Sequence, residues 1–482
     1  MSVMLGIDIG TTATKGLLLH PERGVIGEAS RPAQLSSLHP GWSEEDPAQW
    51  WQNLCQLSRE LADGQDVQAV GISGMVPCIV LVDGAAEVIR PAILYNDARA
   101  VEQIEHLRGE LAHSRVLERT GSPITQQSVG PKLLWLAEHE RSNWRKATAV
   151  LGSYSLMALW LTGVPSAEAN WALESGLYDL ETHLWAQDIL AATGVDRDLL
   201  PPVRQPPEVI GTVCAEAARV TGLPSGTPVV AGSADHVASA FAAGLAEAGD
   251  VVIKLGGSGD ILMVTDALFV DPRLYLDFHL IPGKYLPNGC MASSGSLIRW
   301  FQRELAGGTS LQDLDVEAEA AGPGAGGIVA LPYLLGEKTP INDPTARGAF
   351  AGLHLGHERG HLFRAILEGV AFGFRHHLDV FAERGQTPRK VRLTNGGARS
   401  ELWAQVTADV LGLPLEQVQV VGGSALGAAF VAGMGTGVFR GWHEIERFTS
   451  VDAVIEPHPH AVYEERYRAY RALYPALKGI LG

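Results

Sequence analysis

"MLGIDIGTTATKG" (4–16) sets an acid, Asp8, between Ile7 and Ile9 in an apolar run that ends in Gly10, Thr11 and Thr12. The pattern reads as a strand, a tight turn and the start of a second strand. The neighbouring runs "VMLGIDI" (3–9), "TKGLLLH" (14–20) and "GVIGEAS" (24–30) extend it to a three-stranded meander. A carboxylate in such a strand is costly unless something compensates it. The turn beside it has no bulky side chain, and its successive N–H groups can cradle a phosphate. Asp8 would repel that phosphate, and Mg²⁺ between them removes the conflict, because it is commonly held by one or two carboxylates plus phosphate oxygens. The segment therefore offers Asp8 as a metal-positioning acid and Gly10, Thr11 and Thr12 as a phosphate turn. Lys15 adds positive charge from the returning strand. The competing reading is a plain hairpin whose Asp caps local N–H groups.

A second stretch has the same form. In "GDVVIKLGGSGDILMVTD" (249–266) an apolar strand runs into a Gly/Ser turn, Gly256 to Gly259, and an apolar strand returns. This points to an internal duplication, each copy opening on a hairpin with a donor-rich tip, although Gly-rich hairpins are common on their own. Strand-like runs ("VQAVGIS", "CIVLVD", "RKVRLTNGG") alternate with helical ones ("DPAQWWQNLCQLSRELA", "PKLLWLAEH", "HLFRAILEGVAFGFRHHLDVF"). The class is α/β, with a boundary expected in "GLAEAGD" (244–250) and domains at 1–246 and 247–482.

Composition narrows the function. The 482 residues are 46% hydrophobic and 19% charged, enough for two or three cores. A formal charge of −17 argues against a nucleic-acid surface. Cys55, Cys78, Cys214 and Cys290 are scattered without a CxxC pair, which fits a reducing cytoplasm and predicts neither disulfides nor a zinc site. The apolar stretch "AVGISGMVPCIVLV" (69–82) is broken by glycines and a proline and falls short of a membrane span. No signal peptide and no low-complexity tract are read.

Four further segments carry candidate chemistry. "LTNGGARSELWAQVTADVLGLPL" (393–415) is a strand ending in Asn395, Gly396, Gly397 and Ala398, then a helix with Ser400 as N-cap and a stop at Gly412 and Pro414. Its glycine pair permits close approach of a base or phosphate, or is only a tight connection. "VGGSALGAAFVAGMG" (421–435) is a helix of small residues that must pack closely on something. "PVVAGSADHVASAFAAGL" (228–245) puts Asp235 and His236 at a helix start directly after a strand. Asp235 is either an N-cap or a general base for a substrate hydroxyl. "RPAILYNDARA" (90–100) offers Tyr95, Asn96 and Asp97 to a polyol, or forms an Asp turn with a salt bridge to Arg99. His376 and His377 are expected on the surface of their helix. No Ser-His-Asp motif, HExxH, GxxxxGK[ST] or dinucleotide fingerprint is found.

Taken in order, these segments resemble the FGGY family of carbohydrate kinases over nearly the whole chain, most closely its xylulokinase branch. "GIDIGTTATKG" is similar to the family's opening phosphate motif, and "KLGGSGDIL" to its second phosphate hairpin. "RPAILYNDARA", "PKLLWLAEHE", "AGSADHVASAFAAG", "GEKTPINDPTARGAFAGL" (336–353), "ILEGVAFGFR" and "NGGARSELWAQVTADVLGLPL" also have counterparts there. The resemblance implies two RNase H-like domains of the actin/Hsp70/hexokinase ATPase type around a cleft. Sugar is expected on 1–246 and ATP mainly on 247–482. It implies ATP-dependent phosphorylation of a small sugar or polyol, with Asp235 as base and Asp8 positioning Mg²⁺. Phosphates are expected at Gly10–Thr12 and at Gly256, Gly257, Ser258 and Gly259. The cofactors implied are ATP and Mg²⁺, with no nucleic-acid or membrane partner, and the resemblance leaves room for a homodimer.

One loop departs from the pattern. Where the xylulokinases carry "SGQMHG", this chain has "SGMVPC" (73–78), so Met75 and Pro77 replace Gln and His. Met75, Val76 and Pro77 at the sugar argue against xylulose itself, while a xylulose-like ketopentose stays first and ribulose, erythritol or glycerol are alternatives. No cation is read near this loop for a sugar acid. Lys254 and Asp260 flank the second hairpin, where they either pair or place Lys254 on phosphate. The rival class is an ATP-dependent switch or chaperone on the same fold.

Overall fold

In the computed structural model, which describes residues 2–481, the opening stretch forms three antiparallel strands, β1 (Ser2–Ile9), β2 (Ala13–His20) and β3 (Gly24–Pro32). Helix α1 (Pro47–Ala62) starts at Asp46, whose carboxylate accepts from the Ala48 N–H, with Pro47 at the first helical position. Strand β4 (Asp66–Gly74) then lies parallel to β1. The short helix α2 (Ala169–Glu174) and strands β5 (Val209–Thr212), β6 (Pro228–Val230) and β7 (Ser233–Ala234) lead to helix α3 (Asp235–Ala242). The sheet order is β5-β6-β4-β1-β2-β3, with β7 also on β4.

The second half repeats the plan. It contains β8 (Asp250–Leu255), β9 (Gly259–Met263), β10 (Tyr275–Phe278) and β11 (Tyr285–Met291), then α4 (Arg359–Glu383), β12 (Lys390–Thr394) and α5 (Glu401–Leu411). Strand β13 (Leu415–Gln419), helix α6 (Ser424–Gly435) and strand β14 (Ser450–Ile455) complete it. Here the order is β10-β11-β9-β8-β12-β13-β14. In each sheet an antiparallel meander is joined through its first strand to parallel strands, the RNase H-like arrangement. The hairpins correspond even in register: Asp8 faces Lys15 in one, and Lys254 faces Asp260 in the other.

Helix α6 departs from the division of the chain at 246/247. It packs on β1 and β4 of the first sheet and on α3. The contact needs glycine: a Cβ on Gly6 would stand 2.0 Å from Ala425 O, and one on Gly71 would stand 2.0 Å from Ala428 O. Small residues on both sides let helix and sheet backbones touch, so α6 and Phe439 belong to the same apolar core as β1, β4 and Trp50. A separate core surrounds α4 and β8.

The expectation for His376 and His377 is overturned. His377 is fully buried, with Nδ1 2.8 Å from Gly373 O and Nε2 2.9 Å from Thr339 Oγ1, and His376 is buried beside it. Burial pushes their pKa values down, to about 4 and about 3. Helix α4 is covered around most of its circumference, so two polar residues in sequence do not mark a solvent face.

Candidate active site

Three adjoining cavities run from one that the second half alone lines to two that residues of both halves line. The largest, about 1030 Å³, is lined by Gly256, Gly257, Asn395, Gly396, Gly397, Ser400 and Trp403, with Arg299 and Arg399. The next, about 590 Å³, is lined by Asp8, Lys15, Asp235, Lys254, Asp260, Ala398 and Ser424. It shares Asn395, Gly396 and Arg399 with the first. The third, about 250 Å³, is lined by Thr11, Met75, Val76, Tyr95, Glu174, Ser258, Asp277, Asn288, Cys290 and Lys338. Asp235, His236 and Asp260 line both the second and the third. The order is thus a large open chamber, a strongly charged middle and a small polar end.

Asp235 is the first residue of α3, where the positive end of the helix favours its charge. It does not cap the helix: the N-cap is Ala234, without a side-chain bond, and Asp235 Oδ1 accepts 2.6 Å from the adjacent His236 N–H. Asp8 is buried and accepts from Ser73 Oγ at 2.9 Å. Burial first, and the nearby Asp235 second, raise its pKa to about 7, against the pull of Ser73, Lys15 and Lys254. A hard, buried carboxylate held that high suits a divalent cation, which would return it to the ionised form. Lys254 donates to Ser239 Oγ at 2.6 Å and to His236 O at 3.3 Å, with its ammonium in the middle cavity.

The large chamber is built on the strand-to-helix turn, with the cap and stop expected from the sequence. Ser400 caps α5 through the Trp403 N–H, and the left-handed Gly412 ends it. A Cβ on Gly397 would stand 2.4 Å from Trp403 and 2.7 Å from Leu255, so the turn admits no side chain.

Other expected positions scatter. Met75, which donates its N–H to Ile9 O and so lies against the first hairpin, lines the small cavity together with Val76. Pro77 is buried and does not line it. Tyr95 lines it, whereas Asn96 is exposed and Asp97 turns inward. Asp97 pairs with Arg99 at 2.8 Å and accepts the Ser43 N–H at 2.6 Å, and the Arg99 guanidinium lies 3.8 Å from the Trp42 ring centroid. The salt-bridged turn is therefore the role the structure supports for Asp97. Gly10 and Thr12 in the first hairpin tip and Gly259 at the start of β9 line none of these three cavities, while Thr11 and Ser258 line the small one.

Residues 3–242 match the FGGY family of carbohydrate kinases, N-terminal domain, and residues 253–436 match the C-terminal domain of the same family. This chain belongs to the FGGY family. The kinase is 33% identical to the xylulose kinase of Escherichia coli (strain K12) over 98% of this chain and 99% of that protein. It is 30% identical to the xylulose kinase of Bacillus subtilis (strain 168), over 100% of this chain and 98% of that protein. The crystal structure of xylulose kinase from Rhodospirillum rubrum superimposes with a TM-score of 0.95 at 42% identity, covering 99% of both chains. The protein is thus an ATP-dependent carbohydrate kinase with a small-molecule sugar substrate. Among the described residues no helix is long and apolar enough to cross a membrane.

Sequence reading missed Glu174, Asp277, Asn288 and Lys338. For Asp277 a signal exists: "LYLDFHL" (274–280) sets an acid in an apolar strand, as "LGIDIG" does for Asp8. Lys338 lies in "GEKTP", a motif noted for its resemblance and not for its cation. Its neighbours hold it in place: Glu337 accepts from the Ala292 N–H at 2.7 Å, and Thr339 Oγ1 accepts from the Cys290 N–H at 2.6 Å.

Proposed function

We propose that the kinase transfers the γ-phosphoryl group of Mg·ATP to a hydroxyl of a short-chain ketose or polyol, a ketopentose such as xylulose first, with ribulose, erythritol or glycerol as alternatives. The observation that carries this reading is Asp235, which borders both the small polar cavity and the charged one. A hydroxyl in the small cavity has the Asp235 carboxylate on one side and the phosphate chamber on the other. Asp235 takes its proton as the oxygen attacks. Asp8 would hold Mg²⁺, which when bound would supply charge neutralisation at the phosphates. Lys254 and Lys15 add positive charge to the same chamber, and Gly396, Gly397, Gly256 and Gly257 seat the nucleotide. Catalysis then rests on positioning and charge.

The cavity of about 250 Å³ suits a short-chain acceptor. Met75 and Val76 make one wall apolar, which favours an acceptor with fewer hydroxyls there. Lys338 supplies the cation that was not read from the loop, so sugar acids enter the comparison. A cytoplasmic setting and a homodimer are part of the same proposal. The test is an ADP-release assay across pentuloses, pentitols, tetritols, glycerol and aldonates, with and without Mg²⁺. Acceptor-dependent ADP release ranked highest for a ketopentose supports the reading. Equal ATP turnover with every acceptor and with none overturns it.

A further inference from the structure

Beside the base lies a chain of titratable side chains that the reaction as described does not use. His236 Nε2 is 2.7 Å from Asp277 Oδ2, and His236 Nδ1 is 3.5 Å from Asp235 Oδ1. Asn288 Nδ2 donates to the same Asp277 oxygen at 2.7 Å. Glu174 Oε1 stands 3.9 Å from His236 Nε2. Three elements meet here: α3 brings Asp235 and His236, β10 brings Asp277, and α2 ends in Glu174. Lys254 touches the His236 carbonyl, and Asp260, Lys338, Tyr275 and Cys290 line the cavity around the group.

An aspartate on the first residue of a helix can rotate about both of its side-chain bonds. Its carboxylate must point into the cavity within a fraction of an ångström for the proton to move in step with phosphoryl transfer. The His236 N–H restrains Oδ1 from the backbone. The imidazole restrains it from the side, because its own orientation is fixed at the far nitrogen by Asp277. Burial works against charge on this ring, but Asp277, Asp235 and Glu174 outweigh it and hold its pKa well above the ordinary value. The ring is then a donor at both nitrogens. Asp277 Oδ1 and Glu174 Oε1 are buried without another partner among the described residues. Burial, and Asp277 next, push the Glu174 pKa far up, and its carboxyl lies on the Nε2 side of the ring that Asp277 holds.

We propose that His236 is the positioning residue of the base: held by Asp277 and backed by Glu174, it presents Nδ1 to Asp235 and fixes that carboxylate toward the acceptor hydroxyl. This rests on the reading of Asp235 as the base. The variants are Asp235→Asn, His236→Ala, Asp277→Asn and the double change Asp235→Asn with His236→Ala, each checked for folding by thermal unfolding and for ATP binding by calorimetry. His236→Ala is expected to lower kcat about 10- to 100-fold, the size of a misplaced reacting group, with little change in KM for ATP or acceptor. Asp277→Asn, nearly isosteric, should lose kcat in the same way. Added imidazole should restore part of the turnover of His236→Ala. In the Asp235→Asn background, His236→Ala should cost nothing more, since it acts through the absent base.

Additive losses, or a rise in acceptor KM at constant kcat, would overturn the proposal. So would a stoichiometric transition metal in the wild-type protein that His236→Ala removes, since the cluster would then be a metal site. If Asp235→Asn keeps wild-type turnover, the base reading falls and takes this one with it. If Asp235→Asn is inactive while His236→Ala turns over normally, only the positioning role falls.

Discussion

Asp235 and Asp8 are neighbouring carboxylates in one charged chamber, yet their surroundings differ. Asp235 is a third exposed and held by a helix N-terminus, whereas Asp8 is buried with a single hydroxyl donor, Ser73. Asp235→Asn keeps the shape and removes the proposed proton acceptor, so turnover should fall about 10²- to 10⁴-fold while calorimetry shows unchanged ATP binding. For Asp8 the prediction concerns stability. Its pKa rises from 3.8 toward about 7 on folding without metal. Between those values the folded state keeps a proton that the unfolded state has lost, so stability falls as pH rises through this window and is flat above it. Asp8→Asn removes that penalty. Without metal, the variant should melt higher than wild type at pH 8, by up to about 4 kcal/mol of stability, and the gap should close below pH 4. A pH-independent gap would show that the carboxylate is not the cause. Asp8 was legible because an acid in an apolar strand demands an explanation. Asp97 was read two ways because sequence does not say which way a turn acid faces, and Arg99 turns it inward. Glu174 gave no comparable signal, since the sequence does not show what its chain neighbours face.

The two hairpins, the cap at Ser400 and the stop at Gly412 were readable because each depends on contiguous residues. Where helix α6 packs was not, because its partners Gly6 and Gly71 lie more than 350 positions away in the chain. Its run of small side chains announced close packing but no destination. The destination matters: Ser424, at the start of α6, lines the charged chamber, so this helix ties the first sheet to that chamber. Gly6→Ala would place a Cβ 2.0 Å from the Ala425 carbonyl oxygen, a backbone atom that cannot rotate aside. Overpacking of this kind costs about 1–3 kcal/mol. The expected result is a lower denaturation midpoint together with a higher KM for ATP. An unchanged midpoint would show that α6 adjusts freely on the sheet.

At the scale of the molecule both halves line the small cavity proposed as the acceptor site. Thr11, Met75 and Tyr95 reach it from the first half, and Ser258, Asp277 and Lys338 from the second. Lys338 Nζ donates to Cys290 Sγ at 3.7 Å, a weak partner for an ammonium with three donors. A hydroxyl or carboxylate oxygen of the acceptor is a better one, and a hydrogen bond to a charged group contributes about 1.5–3 kcal/mol. Lys338→Met preserves most of the side-chain length and removes the donor. The acceptor KM should rise about tenfold or more, the equivalent of that bond, while the Kd for ATP in the absence of acceptor stays as in wild type. Because an acceptor in this cavity would bridge Lys338 to the first-half wall at Thr11, Met75 and Tyr95, the variant should also show less compaction in small-angle scattering when acceptor and a non-hydrolysable ATP analogue are both present. An acceptor KM equal to wild type, with full compaction, would mean that Lys338 serves only the wall it stands in and that the first half alone holds the sugar.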